Sequence, residues 1–310
     1  MTLREDGDVR VERDTMGEVT IPADAYYGAQ TGRAVENFPV SGTRFPRAFI
    51  EALGVIKKCC GQVNVQLKQL DPKFAEAIID AAEEVRVGRL DREVVVDVFQ
   101  TGSGTSTNMN ANEVIATRAN EMLTGRKSTI GPIHPNDHVN RGQSSNDVIP
   151  SAIHVAALTT ITKELIPALQ GLYGSLKEKS IAFDDIVKIG RTHLQDAVPI
   201  RLGQEFSGYA RQMELAAESL NRLPEVLGEL ALGGTAVGTG LNCVPGFAAR
   251  VIGLISQETG CCFVEAGNHF SAQGSQDAAA RTSGSLKSVA VGLMKIANDV
   301  RWLSSGPRCG

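Results

Sequence analysis

Three short polar stretches, far apart in the chain, carry the residue types best suited to chemistry. The first is Gln143-Ser144-Ser145-Asn146-Asp147. Small polar side chains and an acid precede an apolar-periodic segment there, which predicts a helix N-terminus. Free backbone N–H groups and hydroxyls converge at such a terminus and suit an anion. The second stretch is Thr101-Gly-Ser-Gly-Thr-Ser-Thr-Asn108, in which Gly102 and Gly104 permit close backbone approach to a ligand. The third is Gly190-Arg-Thr-His-Leu-Gln195. Ser103, Thr105, Ser144, Ser145, Asn146 and Thr192 are neutral donors that can hold carboxylate oxygens without a metal. A helix N-terminus adds about 0.3–1 kcal/mol for an anion at an exposed position. A dicarboxylate would suit two such clusters. His193 brings the side chain type that moves protons near neutral pH. Together they suggest proton abstraction beside a carboxylate, followed by loss of a leaving group. Taken singly, each Ser or Asn also fits a cap or turn, and spacing alone names no substrate.

The elements that must position these stretches are mostly helices. Residues 1 to about 48 read as irregular, broken by Pro22, Pro39 and Pro46, with short strands possible at Val9–Val11 and Val19–Ile21. Phe49, Leu53, Ile56, Val63 and Leu67 then form an apolar stripe at helical spacing. Asp71-Pro72 reads as an N-cap with proline at the first helical position, and the helix it opens ends at Gly88. Val94-Val95-Val96 fits a strand or a buried loop. Asn108 to Leu123 reads as a helix. A stripe from Ile153 to Leu176 predicts a long helix that Pro167 should kink. Residues 183–199 read as a break containing Thr192 and His193. Further helices are expected from Gly203 towards Leu230, from Gly246 to Thr259 and from Gln273 to Leu303. The fold class is mainly α: a smaller mixed N-terminal domain over 1–140, then a bundle of long helices over 141–310.

Bulk properties narrow the field. The chain has 310 residues, 42% apolar, with a formal net charge of −4. That charge gives no general drive towards nucleic acid or an anionic membrane. The charged N-terminus lacks an apolar signal core, and no apolar run approaches a membrane span, so a cytoplasmic protein is expected. The six cysteines match no zinc spacing and read as reduced, packed thiols. No Gly-x4-Gly-Lys-Ser/Thr phosphate loop occurs, and Gly238-Thr-Gly240 lacks the third glycine and the preceding strand of a dinucleotide site.

At these same residues the sequence resembles the class II fumarases of the fumarase/aspartase superfamily. The resemblance rests on Phe99–Ser106, Thr107–Glu113, Ile133–Asn140, Gly142–Asp147, Gly190–Asp196, Gly203–Gly208, Gly233–Asn242 and Arg301–Cys309. It implies reversible interconversion of fumarate and malate without metal or organic cofactor. By position it assigns Ser103, Gly104 and Thr105 to one substrate carboxylate. Ser144, Ser145 and Asn146 form another part of the pocket, Thr192 is a binding donor, and His193 handles the proton or the water. It assigns His134, Pro135, Asn136 and Asp137 to a second dicarboxylate site near the catalytic pocket. A carbanion at C3 would be stabilised as an aci-carboxylate by preorganised donors. The resemblance also implies a homotetramer, each active site built from three subunits.

An aspartase-like ammonia-lyase is the nearest alternative. Aspartases resemble Ser-Thr-Asn-Asp where this chain has Ser144-Ser145-Asn146-Asp147, and carry Gln at the place of His193. Both positions favour water as the leaving group. Val198 is a mild step the other way. A non-catalytic dicarboxylate-binding relative is the second alternative. The family's catalytic serine loop, with its lysine, follows the point where this sequence stops. The expectation is therefore a truncated fumarase whose 310 residues alone turn over little or no substrate, and whose helices expose apolar faces.

Overall fold

The computed structural model describes residues 8–306. Two short antiparallel strands, β1 (Val9–Asp14) and β2 (Gly17–Pro22), open the chain. Helices α1 (Ala29–Asn37), α2 (Arg47–Gln66), α3 (Pro72–Arg86) and α4 (Thr105–Thr124) follow. Next come α5 (Ser145–Thr160) and α6 (Ile166–Ala182), joined by a wide π-turn at Ile161–Leu165. The hairpin β3 (Val187–Thr192) and β4 (Gln195–Arg201) leads into α7 (Leu202–Leu220) and the single turn α8 (Pro224–Leu227). Strand β5 (Glu229–Leu230) pairs in parallel with β6 (Val264–Glu265), with α9 (Phe247–Thr259) between them. Helices α10 (His269–Gly274) and α11 (Asp277–Leu303) complete the described chain. The mainly α reading holds.

The chain forms two compact units. One contains the residues up to Ala157 together with Leu227–Gln276; the other contains Leu158–Val226 and the residues from Asp277 onward. This division differs from a cut at residue 140. The segment around β5, β6 and α9 packs with the N-terminal part, where α9 lies against α2.

In the first unit, α2 and α3 pack side by side, and Asp71 caps α3 by accepting from Lys73 N–H at 2.8 Å. Ile78, Ala81, Ala82 and Val85 of α3 join Ile50 of α2 and Val114, Ile115 and Ala119 of α4 in the core. Helix α4 is buried on most sides although much of it is polar: Thr107, Asn108, Asn110, Asn112, Thr117 and Asn120 are all buried. Its amides serve neighbouring segments that lie outside the long helices. Asn110 accepts from Val95 N–H and donates to the Glu93 carbonyl, both at 2.9 Å. Asn120 accepts from Ile133 N–H and donates to its carbonyl, also at 2.9 Å. Buried backbone groups must find such partners, and this explains Val94–Val96: the run is a buried loop pinned to α4, not a strand. Glu113 does the same at the start of α1, accepting from Gly28, Gln30 and Thr31 N–H groups at 2.9, 3.0 and 3.1 Å.

In the second unit, α6 and α7 pack together and α11 lies on α7. Phe183, Phe206 and Tyr209 form an edge-to-face series with ring centroids 5.2 and 5.5 Å apart. Lys295 of α11 sits 4.6 Å over the buried Tyr209 ring. Residues 183–199, expected as a break, instead hold most of a hairpin. Pro167 falls at the start of α6, and the π-turn before it takes up its missing N–H without interrupting the helical run. That run, Ser145–Ala182, is long and apolar enough by length and composition to cross a membrane, although a third of its apolar window is buried. No uninterrupted apolar run of that length is visible in the sequence, because Thr159, Thr160, Lys163 and Glu164 divide it. Among the described residues, α11 leaves Val291, Met294 and Trp302 exposed, a broad apolar face.

Close approach of α2 to α3 depends on Gly54. A Cβ there would lie 2.6 Å from the Arg86 backbone nitrogen, which has no freedom to give way. Gly54→Ala should therefore lower stability by about 1–3 kcal/mol. A denaturant midpoint unchanged from the parent would show that this helix pair is packed less tightly than described.

Candidate active site

The first polar stretch is the N-terminus of α5, as expected, and its cap is reciprocal. Ser144 Oγ accepts from Asn146 N–H at 3.2 Å, while Asp147 Oδ1 accepts from Ser144 N–H at 2.9 Å. This is a reciprocal cap of the capping-box kind, with the hydroxyl on the second helical N–H and aspartate at the third helical position. Asp147 is fully buried, and its other oxygen reaches a distant loop, accepting from Gly233 N–H at 3.1 Å and Thr235 N–H at 2.8 Å. Burial pushes its carboxyl up, opposed by these three N–H donors and by the charge of Lys57. Asn146 extends the same link by donating to the Ala236 carbonyl at 2.8 Å. One acid and one amide thus fasten the 233–236 loop against the start of α5.

A cleft of about 330 Å³ opens at this junction. Its lining includes Asn136, Asn140, Gln143, Ser144, Ser145 and Thr235. It is open on one side, largely neutral, and rich in amide and hydroxyl groups. Ser145 Oγ accepts from Asn108 Nδ2 at 2.9 Å, which leaves its own hydrogen for another acceptor. An anion in this cleft would meet hydroxyl and amide donors and the N-terminal end of a long helix. Asn136, expected at a separate dicarboxylate site, lines the same cleft.

The other expected residues are distributed as follows. Ser103 and Thr105 share a hydrogen bond at 2.9 Å and are exposed at the start of α4. Gly104 is the left-handed residue before α4, and a Cβ on it would lie 2.9 Å from Ile149 of α5, so only glycine fits. None of these three lines the cleft described above. His134 Nδ1 lies 3.2 Å from Asp137 Oδ2 on an exposed π-turn, with Pro135 buried beneath. His138 Nδ1 accepts from His134 N–H at 2.7 Å, and burial, against Phe74, holds its pKa below the usual histidine value. Thr192 and His193 belong to the other compact unit. Thr192 ends β3 and pairs with Gln195, so His193 and Leu194 form a two-residue hairpin turn. Both have positive φ, 52° and 60°, where an Asn-Gly pair would be usual. Among the described residues no group of three or more His, Cys, Asp or Glu side chains is placed to hold a metal ion. Cys59, Cys60 and Cys261 are buried thiols, Cys243 is half-buried and Cys262 exposed; Cys309 lies outside the described residues.

Sequence reasoning missed Lys57. Its side chain is fully buried in α2, and Nζ donates to Asn140 Oδ1 and Gln143 Oε1, both at 2.9 Å. Burial pushes its pKa down to about 8. A signal was available: position 57 falls on the apolar stripe of α2 beside Leu53, Ile56 and Cys60, where a charge is out of place.

A lyase family profile matches residues 17–310. This chain belongs to the lyase family. A class II fumarate hydratase of Nitrosomonas europaea is 55% identical over 302 residues, covering 97% of this chain and 65% of that protein. One from Halobacterium salinarum is 56% identical over 303 residues, covering 98% and 64%. The crystal structure of recombinant class II fumarase from Schistosoma mansoni matches with a TM-score of 0.95 at 40% identity, covering 98% of this chain and 67% of that one. The fold is that of the fumarase/aspartase superfamily. This member of the lyase family spans a little under two thirds of the length of these curated relatives.

Two predictions follow from the cap and the turn. Asp147→Ala leaves two buried N–H groups and one half-buried N–H group without an acceptor and should cost about 3 kcal/mol or more. Chemical denaturation measures this, and a loss below about 1 kcal/mol would deny Asp147 its anchoring role. His138 has a depressed folded pKa, so its stabilisation is complete above about pH 6.5 and falls away as pH drops through the folded value. Between pH 7 and 5 (roughly, the range of histidine titration) the parent should lose stability relative to His138→Asn; parallel curves would contradict this.

Proposed function

We propose that this chain contributes the substrate-binding framework of a fumarate hydratase, a hydro-lyase that interconverts fumarate and malate. The observation that carries the reading is the cleft at the start of α5, lined by Asn136, Ser144, Ser145 and Thr235 and flanked by Asn146. It is neutral, donor-rich and placed at a helix N-terminus, the environment a carboxylate needs. The identity to class II fumarate hydratases supports the same reaction.

In this reading Ser144, Ser145 and Asn146 hold one substrate carboxylate, and Ser103, Gly104 and Thr105 hold the other. Thr192 adds a donor, and His193 moves the proton or activates the water. The backbone at His193 and Leu194 supports a functional role for this turn, because two bulky residues in left-handed conformations are costly and persist where the surroundings require them. The reaction removes a proton from C3 of malate and expels the C2 hydroxyl as water. Donors already aimed at the developing aci-carboxylate lower that barrier without reorganisation. His134, Pro135, Asn136 and Asp137 form an approach site for the dianion beside this cleft. We further propose self-association to a homotetramer, supported by the exposed Val291, Met294 and Trp302 on α11. In such an assembly the three polar stretches of one active site come from different copies.

The test is malate dehydration followed by ultraviolet absorbance. It should be run on the 310 residues and on these residues joined to the remaining third of the Nitrosomonas europaea relative. The joined protein should turn over malate, and His193→Asn should lower its kcat by about 100-fold or more. Absence of turnover from both proteins would contradict the proposal, as would an unchanged kcat in the variant. Sedimentation of the parent as a monomer at micromolar concentration would separately exclude the tetramer.

A further inference from the structure

The buried ammonium of Lys57 lies behind the cleft, not in it. It is fully buried in α2, and its two hydrogen-bond acceptors, Asn140 Oδ1 and Gln143 Oε1, belong to residues that line the cleft. Asn140 Oδ1 also accepts from Asn108 Nδ2 at 3.3 Å. The same Asn108 amide donates to Ser145 Oγ at 2.9 Å. Asn140 Nδ2 in turn donates to the Gln143 carbonyl at 3.3 Å, and Gln143 Nε2 donates to the Val139 and Arg141 carbonyls at 3.1 and 3.2 Å.

These bonds have a direction. Lys57 can only donate, so it fixes Asn140 and Gln143 with their oxygens facing it. With Asn140 Oδ1 held there, the Asn108 amide must present its nitrogen to both Asn140 and Ser145. Asn108 Oδ1 is left buried without a hydrogen-bond partner in this arrangement, which shows that the orientation is imposed from elsewhere. Ser145, already an acceptor from Asn108, must turn its hydroxyl hydrogen elsewhere, and its residue lines the cleft.

We propose that Lys57 is a positioning residue: through Asn140, Gln143 and Asn108 it orders the turn before α5 and sets Ser145 as a hydrogen-bond donor to a dicarboxylate. It does not touch substrate. Its pKa near 8 leaves it protonated at neutral pH, so the donor role is available there. Only the substrate clause rests on the dicarboxylate reading; the ordering of the turn stands apart from it.

The test uses four proteins: the parent, Lys57→Met, Ser145→Ala and the double variant. Amide hydrogen exchange is measured without ligand, and succinate affinity by calorimetry. In Lys57→Met, exchange across residues 143–146 should quicken about tenfold while Ile78 and Ala81 keep their protection. Lys57→Met should weaken succinate binding about tenfold in the parent and less than about twofold in the Ser145→Ala background. Unchanged exchange at 143–146, or equal losses of affinity in both backgrounds, overturns the proposal. If the parent fails to bind succinate, the dicarboxylate reading fails and the exchange result alone decides whether Lys57 orders the turn. If Lys57→Met loses protection at Ile78 and Ala81, Lys57→Gln, whose amide can still donate, should keep exchange across 143–146 within about twofold of the parent, and exchange there as fast as in Lys57→Met overturns the proposal.

Discussion

A single buried carboxylate holds this site together. Asp147 closes the reciprocal cap of α5 with one oxygen and binds two backbone N–H groups of the 233–235 loop with the other. Residues almost ninety positions apart in the chain are thereby fixed at one point. Hydrogen bonds to a buried charge are stronger than neutral ones and cost more when broken. The cleft exists because the turn before α5 and the 233–236 loop meet at this acid.

Around that anchor the protein uses buried polar groups where most cores use apolar ones. Lys57 supplies the cation that keeps Asp147 from being an uncompensated charge, although the two act through the local field and not through a direct hydrogen bond. Helix α4 supplies Glu113 to the start of α1 at 28–31 and amides to the backbone at 93–95 and 133. Such an interior gains little net stability per group, but each group has one satisfactory arrangement. That rigidity suits a site whose donors must be aimed before the ligand arrives.

The parts of the fold legible in the sequence were those with a periodic apolar stripe or a cap: α2, α3, the long run from α5 and the Asp71-Pro72 start. The helix N-terminus at 143–147 was legible as well, because small polar residues and an acid precede an apolar-periodic segment there. The β3–β4 hairpin was not, since Gly190 and Pro199 interrupt it and its strands are mostly exposed, leaving no apolar alternation. The β5–β6 pairing joins two-residue strands across a helix, too short for any pattern. Lys57 was hidden in a doublet with Lys58, which does lie at the surface edge and pairs with Glu258 at 2.8 Å. The nearness of the 134–137 turn to Ser144 came with the resemblance; that Asn136 lines the same cleft as Ser144 did not, because that cleft is completed by the distant 233–236 loop.

The most direct test of a preorganised dicarboxylate cleft is backbone amide shift mapping as succinate is added to the ligand-free protein. The account predicts the largest shifts at Ser144, Ser145 and Asn146, with smaller ones at Asn136 and Thr235. Shifts absent from these residues, or confined to the separate cavity at Gly238–Gly246, would contradict it.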